Sequence, residues 1–345
     1  MDPPMPSPIT KAVLLIGGLG TRLRPLTYQC PKALLPVLNR PLIWYEIELF
    51  ARHGVTDLVM AISYQAEEVK TALGDGSRWG VRFHYVEEPE PLGTAGAIRN
   101  AASLIDGPFF ACNGDIIYDV DLAALAQAHL DNSAHVSFCL RRVDDISAYG
   151  LIQCDEAGRV VAFKEKVDRD ETGRNTVNSG FYAMNPQVLD AIPQNISYSN
   201  ETQLFPDLLA RGKPLYGFLP PQEGYWCDVG RIETYLAAHT RLLHGAVDWI
   251  RPAVARGAID RSAQLRQPVD IAADVTIAAG CRIGPEVAIG TGCCIGDGAI
   301  VERSILWSDC AVGAGAYLSG AIAASGAQIA PHSRHSDEVI MPQDA

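Results

Sequence analysis

Apolar residues run along this chain in two rhythms, and the change falls near Gly245. Before it, short apolar runs alternate with stretches whose apolar residues recur every three or four positions. Lys11–Ile16 (KAVLLI), Asp57–Ile62, Val81–Val86, Pro108–Cys112 and Val136–Leu140 read as buried strands. Between them the spacing predicts helices. One is opened by Pro41, carries Ile43, Ile47, Leu49 and Phe50, and stops near Gly54; others cover Glu67–Leu73 and Gly93–Ala102. Another is capped by Asp121, with Leu122, Leu125 and Leu130 on one face. Strands alternating with helices predict a mixed, mainly parallel sheet covered by helices on both faces. Strand signals crowd together from Tyr149 to Met184, which predicts an inserted antiparallel piece, and helices return at Glu201–Ala210 and Ile232–Leu243.

After a linker the rhythm becomes six. Ile271, Ile277, Ile283, Ile289, Ile295 and Val301 fall six apart, with Val275, Cys281, Val287, Cys293 and Ala299 four residues after the first five. The register breaks around Ser304–Asp309 and resumes with Val312 and Leu318. One inward aliphatic per hexad predicts a parallel β-helix of about three coils. A helical face is excluded, because six is not a multiple of 3.6 and glycine is too frequent. The expected domains are residues 1–245, a linker over 246–264, and a repeat domain over 265–345.

Composition narrows the functions. With 28 Lys+Arg against 40 Asp+Glu the net charge is −12, so neither a nucleic acid nor an anionic membrane is an expected partner. Met1–Thr10 is Pro-rich without an apolar core, so no signal peptide is expected. Nine scattered cysteines without a C-x-x-C pair predict reduced thiols and a cytoplasmic setting. Cys310–Ser333 is uncharged but rich in Ala, Gly and Ser, which suits a repeat better than a membrane. A charge-poor repeat either fills a narrow interior or faces a second copy, so a homo-oligomer joined partly through it is expected.

The candidate chemistry starts where the first strand ends. Gly17, Gly18 and Gly20 let backbone N–H groups approach an anion, and Arg22 and Arg24 add charge suited to phosphates. The loop matches neither the dinucleotide fingerprint nor the Walker loop. Lys32 is bracketed by Pro31 and Pro36. Asp115 ends a strand at Asn113-Gly114-Asp115, where carboxylates of parallel sheets face a ligand crevice; a turn-capping role is the alternative. Asp228 precedes a helix among apolar neighbours. Two such aspartates suit one Mg2+. Glu165 and Lys166 end a strand and point to opposite faces. No histidine has metal spacing or a nucleophile partner.

These residues together resemble the sugar-nucleotide pyrophosphorylases, the sugar-1-phosphate nucleotidylyltransferases. The loop stands as Leu15-Ile16-Gly17-Gly18-Leu19-Gly20-Thr21-Arg22-Leu23-Arg24-Pro25-Leu26-Thr27, then Pro31-Lys32. Leu92-Gly93-Thr94-Ala95-Gly96, Gly114-Asp115, Tyr149-Gly150, Glu165-Lys166, Asn178-Ser179-Gly180 and Trp226-Cys227-Asp228-Val229-Gly230 follow in the family's order. The resemblance implies a Rossmann-like catalytic domain followed by a short left-handed β-helix. It implies that Leu15, Gly17, Gly18, Gly20, Thr21, Arg22, Lys32, Gly93, Thr94 and Gly114 bind the nucleotide. Gly150, Glu165, Lys166 and Asn178 would bind the sugar phosphate, and Asp115 and Asp228 would hold Mg2+. Arg22, Lys32 and Asp115 would carry catalysis. The implied substrates are an NTP and a sugar 1-phosphate, with GTP and mannose 1-phosphate favoured. Thymidylyltransferases on glucose 1-phosphate, guanylyltransferases on heptose phosphates and a non-catalytic sugar-nucleotide-binding subunit are the alternatives.

Overall fold

The computed structural model describes residues 4–147, 149–165, 173, 175–222, 224–254 and 257–343. It divides into two compact units, Met1–Gly18 with Ile43–Trp226, and Leu19–Leu42 with Cys227–Ala345.

The first unit is built on a twisted mixed sheet. Lys11–Ile16 lies parallel to both Asp57–Ile62 and Phe109–Asn113, and Arg82–Glu87 continues the parallel edge. Ala12–Leu14 and Leu58–Ile62 are fully buried, as strands covered on both faces must be. Thr176–Met184 runs antiparallel to Phe109–Asn113 and to Val136–Arg142, and Gly150–Cys154 pairs with Val160–Glu165. This is the antiparallel insertion the sequence predicts. Helices Ile43–Arg52, Ala66–Leu73, Gly93–Asn100 and Leu122–Asp131 lie close to their expected positions, and Asp121 caps the last through Ala123 N and Ala124 N. One helix differs. Asn200–Leu204 forms a wider π turn before the α-helix Phe205–Ala210 begins. Pro206 has no N–H for the carbonyl of Thr202, and the Asn200 N–H goes instead to Thr94 Oγ1 at 2.7 Å.

The second unit carries the repeats. Three five-stranded parallel sheets stack as a β-helix, the left-handed class that the resemblance implies. Its core contains the inward residues expected from the hexads, from Ile271 to Leu318, and extends beyond them to Val269 and Ile329. Two expectations need correction. There are five strands on each face rather than about three coils, and Ala258–Ile259, inside the expected linker, already pairs with Thr276–Ile277. The register break also has a simple cause. Early coils pair residues 18 apart, as in Ile271 with Ile289, and later ones residues 17 apart, as in Leu306 with Ala323. One corner has lost a residue. Arg303, Gly320 and Asp337, successive copies of that tighter corner, all have positive φ.

Ala288, Ile305 and Ile322 point away from the coil interior yet are 1%, 3% and 1% exposed. Their face is roofed within the same unit by the short strands Pro36–Val37 and Arg40–Pro41 and by helix Ile232–Leu243. Asn39 Nδ2 donates to Asp270 Oδ2 at 2.7 Å and to the Ile289 carbonyl at 3.0 Å, and Trp307 Nε1 donates to the Tyr235 hydroxyl at 2.9 Å. In the uncharged stretch after Cys310, Val312, Ala316, Leu318, Ala321, Ala323, Ala327 and Ile329 fill the interior. None of the nine cysteines is in a disulfide. Among the described residues no helix is long and apolar enough to cross a membrane.

Candidate active site

In the first unit the glycine turn begins where Lys11–Ile16 leaves the sheet. The Leu15 carbonyl accepts the Gly114 N–H at 2.9 Å, so the two implicated turns meet at adjacent strand ends. A Cβ on Gly114 would lie 2.9 Å from that carbonyl, and one on Gly17 would lie 2.9 Å from Ser63 Oγ. Gly18 has open space, so nothing steric requires glycine there.

Asp115 follows Gly114, half-buried, in the turn between Phe109–Asn113 and Ile116–Tyr118. That turn is held from below by Glu46, a buried carboxylate on helix Ile43–Arg52. Its Oε1 accepts the Ile116 N–H at 3.0 Å, and its Oε2 lies 3.2 Å from the Cys112 thiol. Burial, reinforced by Glu46, pushes the Cys112 thiol well above its usual range.

Gly93 starts helix Gly93–Asn100 at φ +70°, where any Cβ would lie 2.8 Å from the Tyr198 carbonyl. Only glycine fits. Thr94 does not offer a free hydroxyl, because its Oγ1 donates to Glu201 Oε2 at 3.1 Å. Beside Gly17 and this helix start lies Glu88, 9% exposed. Its Oε2 accepts the Leu92 N–H at 2.8 Å. Burial raises its pKa above the ordinary carboxylate range, and the Leu92 N–H offsets part of that rise.

Asn178 stands at a bulge in Thr176–Met184, where pairing shifts register before Tyr182. Gly180 forms the bulge at φ +79°, and its N–H donates to Asn178 Oδ1 at 3.0 Å. Asn178 and Gly150 line a cavity of about 280 Å³ together with Lys164, Glu201, Thr202 and Phe205. The Glu165 backbone pairs with Gly150. Lys166 lies outside the described residues.

In the second unit Gly20, at φ +60°, opens the short turn Thr21–Leu23, and its carbonyl accepts from Thr27 Oγ1 at 2.9 Å. A Cβ on Gly20 would lie 2.7 Å from Thr27 Cγ2 and 3.3 Å from Lys32 Cβ, so loop and lysine pack together. Thr21 and Arg22 are exposed and Lys32 is half-buried. Arg22 Nη2 and Asp228 Oδ1 both flank Gly230, 3.1 and 2.9 Å from where its Cβ would be.

Among the described residues no group of three or more His, Cys, Asp or Glu side chains converges on a metal position. Asp115 in the first unit and Asp228 in the second each present a carboxylate, an oxygen donor of the type a hard divalent cation takes. Glu46, Glu88 and Glu201 escape a reading of the sequence. Glu88 sits in Glu87-Glu88-Pro89-Glu90, where its three companions are exposed and it alone is buried.

Comparison with known proteins gives the family. Residues 11–245 match the nucleotidyl transferase family model and residues 265–345 the GMPPB C-terminal domain model. The chain is 39% identical over 236 residues to a mannose-1-phosphate guanylyltransferase of Mycobacterium tuberculosis, covering 68% of this chain and 65% of that protein. It is 34% identical over 340 residues to a probable mannose-1-phosphate guanylyltransferase 3 of Oryza sativa, covering 97% and 91%. The crystal structure of HddC from Yersinia pseudotuberculosis complexed with GMP-PN superposes with TM-score 0.59 at 27% identity, over 68% of this chain and 100% of that one. The chain belongs to the nucleotidyl transferase family.

Proposed function

We propose that this protein transfers GMP from GTP to mannose 1-phosphate, giving GDP-mannose and pyrophosphate. The observation that carries the reading is the similarity to the rice mannose-1-phosphate guanylyltransferase across 97% of the chain, repeats included. Glu88 supports the choice of base. A carboxylate beside Gly17 and Gly93 is an acceptor for the ring N–H and exocyclic amine of guanine, an edge that uracil and thymine lack.

A phosphate oxygen of the sugar phosphate attacks the α-phosphorus, and the bond to the pyrophosphate breaks. The attacking oxygen is already anionic, so no general base is needed. What opposes the reaction is repulsion between anions and charge growing on the leaving group. Gly17, Gly18, Gly20, Thr21 and Arg22 would cradle the triphosphate and Lys32 would neutralise the leaving phosphates. Asn178, Gly150, Glu165 and Lys166 would orient the sugar phosphate. Asp115 and Asp228 would hold Mg2+, which when bound supplies charge neutralisation at the phosphates. Nine cysteines outside any disulfide support a cytoplasmic setting. Assembly of copies through exposed strands of the repeats, such as the face carrying Thr276, Cys294 and Gln328, is part of the proposal, and sedimentation of the whole chain at micromolar concentration checks it.

Pyrophosphate release with each NTP crossed against mannose, glucose and heptose 1-phosphates tests the function. GTP with mannose 1-phosphate should be the best pair, and activity should vanish with EDTA and return with Mg2+. Preference for another pair transfers the assignment to that reaction. Nucleotide-sugar binding without release in any combination makes the protein a binding subunit.

A further inference from the structure

Arg99 stands in the last turn of helix Gly93–Asn100 and lines a cavity of about 260 Å³ with Leu92, Gly96, Ser103, Gln194 and Asn195. This cavity shares no residue with the one at Asn178. The Arg99 Nε is buried without a hydrogen-bond partner, and among the described residues no carboxylate pairs with its guanidinium. A guanidinium is always charged and has five N–H donors, so leaving it half-buried and unpaired is costly. The chain has 40 acidic residues against 28 basic ones, yet no acidic residue lines this cavity. A basic residue in the last turn does offset the helix dipole, but that role needs neither a cavity nor a buried Nε. The side chains of Ser103, Gln194 and Asn195 likewise have no partner among the described residues. One fixed positive charge and three neutral polar groups therefore line the same space.

We propose that this cavity is a second ligand site, and that it binds a phosphate group. Arg99 supplies the charge and a fork able to hold two oxygens, and the hydroxyl and amides supply neutral donors. The cavity is at the small end for ligand pockets, so it suits inorganic phosphate or a phosphorylated monosaccharide and not a nucleoside triphosphate. Leu92 connects the site to the nucleotide end. Its N–H donates to Glu88 Oε2 at 2.8 Å, and its carbonyl accepts the Tyr198 N–H at 2.7 Å. The Gly96 N–H closes the clasp by donating to the Tyr198 carbonyl at 3.1 Å. The residue that holds Glu88, the acceptor proposed for guanine, is thus part of the cavity wall. A phosphate at Arg99 and GTP at Glu88 act on one residue, and whatever change in affinity one causes, the other returns. This link rests on the proposed reaction; the site itself does not.

The test is calorimetric titration of the full chain with inorganic phosphate and with glucose 6-phosphate, in EDTA and saturating GTP so that the triphosphate loop is already filled. Wild type should bind at one site per chain. Arg99→Gln should weaken that binding about tenfold or more, the scale of lost hydrogen bonds to a charged group, and Arg99→Lys should recover part of the loss. Tighter binding of glucose 6-phosphate identifies a phosphorylated sugar and tighter binding of phosphate identifies the free ion; both uphold the site. If Arg99→Gln fails to melt cooperatively, Gln194→Ala, at an exposed position, carries the same comparison with a smaller loss. No binding of either ligand, or equal affinity in wild type and Arg99→Gln, would overturn the site. In steady-state assays the KM for GTP should respond to the ligand differently in wild type and Arg99→Gln, and identical responses would overturn the link through Leu92. Failure of the proposed reaction is separate. It would show as wild-type protein releasing no pyrophosphate, while the titrations still judge Arg99.

Discussion

At the scale of single residues, Glu88 shows how function and stability oppose each other. Its folded pKa is raised by burial, so ionisation is harder in the folded chain than in the unfolded one. Any stability this gives is present at low pH and lost as pH rises through the raised pKa, and at neutral pH the ionised group weakens the fold. Glu88→Gln should therefore raise Tm at pH 7 while raising the KM for GTP about tenfold to a hundredfold, if guanine is read by a charged acceptor. In the wild type, GTP affinity should fall in acid, starting above the ordinary carboxylate range. Thermal melts and a pH profile of KM for GTP check both halves. The glycines of the loop divide in the same physical way. Gly20→Ala forces a side chain onto φ +60° and within 2.7 Å of Thr27 Cγ2, so its Tm should drop. Gly18→Ala meets open space and should melt like wild type, so any loss of GTP binding there reports close approach of the backbone to phosphate.

At the scale of elements, helix Ile232–Leu243 carries a proton-sensitive joint. His239 is buried, its Nε2 donates to the Pro36 carbonyl at 3.1 Å, and burial lowers its pKa to about 3. The unfolded chain takes up a proton near pH 6.5 that the folded chain refuses. Stability should thus fall as pH drops from about 6.5 toward 3, by up to about 1.4 kcal/mol per pH unit for this group. His239→Gln keeps a donor for Pro36 and removes the proton, so its Tm should fall less between pH 7 and pH 5. Chemical denaturation at both pH values gives the comparison. Elements also show how far pattern reading reaches. Strands and hexads were legible because burial on a regular backbone imposes a period on the residues themselves. The π turn at Asn200–Leu204 was not, because a hydrogen bond to Thr94, more than a hundred residues earlier, helps decide it.

At the scale of the whole molecule, the segment that carries Gly20, Arg22 and Lys32 belongs to the same compact unit as the repeats. Asn39 is tied to Asp270 and Ile289, and Gln29 Nε2 donates to the Ser325 carbonyl at 3.4 Å. A chain ending at Gly245 would strip the partners from this segment and expose Tyr235, whose hydroxyl also donates to the Pro36 carbonyl at 2.5 Å. Its affinity for GTP, measured by calorimetry, should fall at least tenfold, and its Tm with it. Wild-type affinity in the truncated chain would mean that the loop is ordered without the repeats.

The sequence by itself determined the order of strands and helices, the period of the β-helix interior and the loop from Leu15 to Lys32. These follow from local rules: the alternation of buried positions, the conformations open to glycine, and residues adjacent in the chain. Only the tertiary structure decided which acidic residues are buried, that a corner of the β-helix loses one residue, and that Thr94 is spent on Glu201 rather than left free. Glu46, Glu88 and Glu201 look alike in the sequence to any solvated glutamate. Glu46 is bonded to Ile116, 70 positions away, Glu201 to Thr94, 107 positions away, and Glu88 is packed beside Gly17, and no local pattern encodes a contact that exists only once the chain has closed on itself.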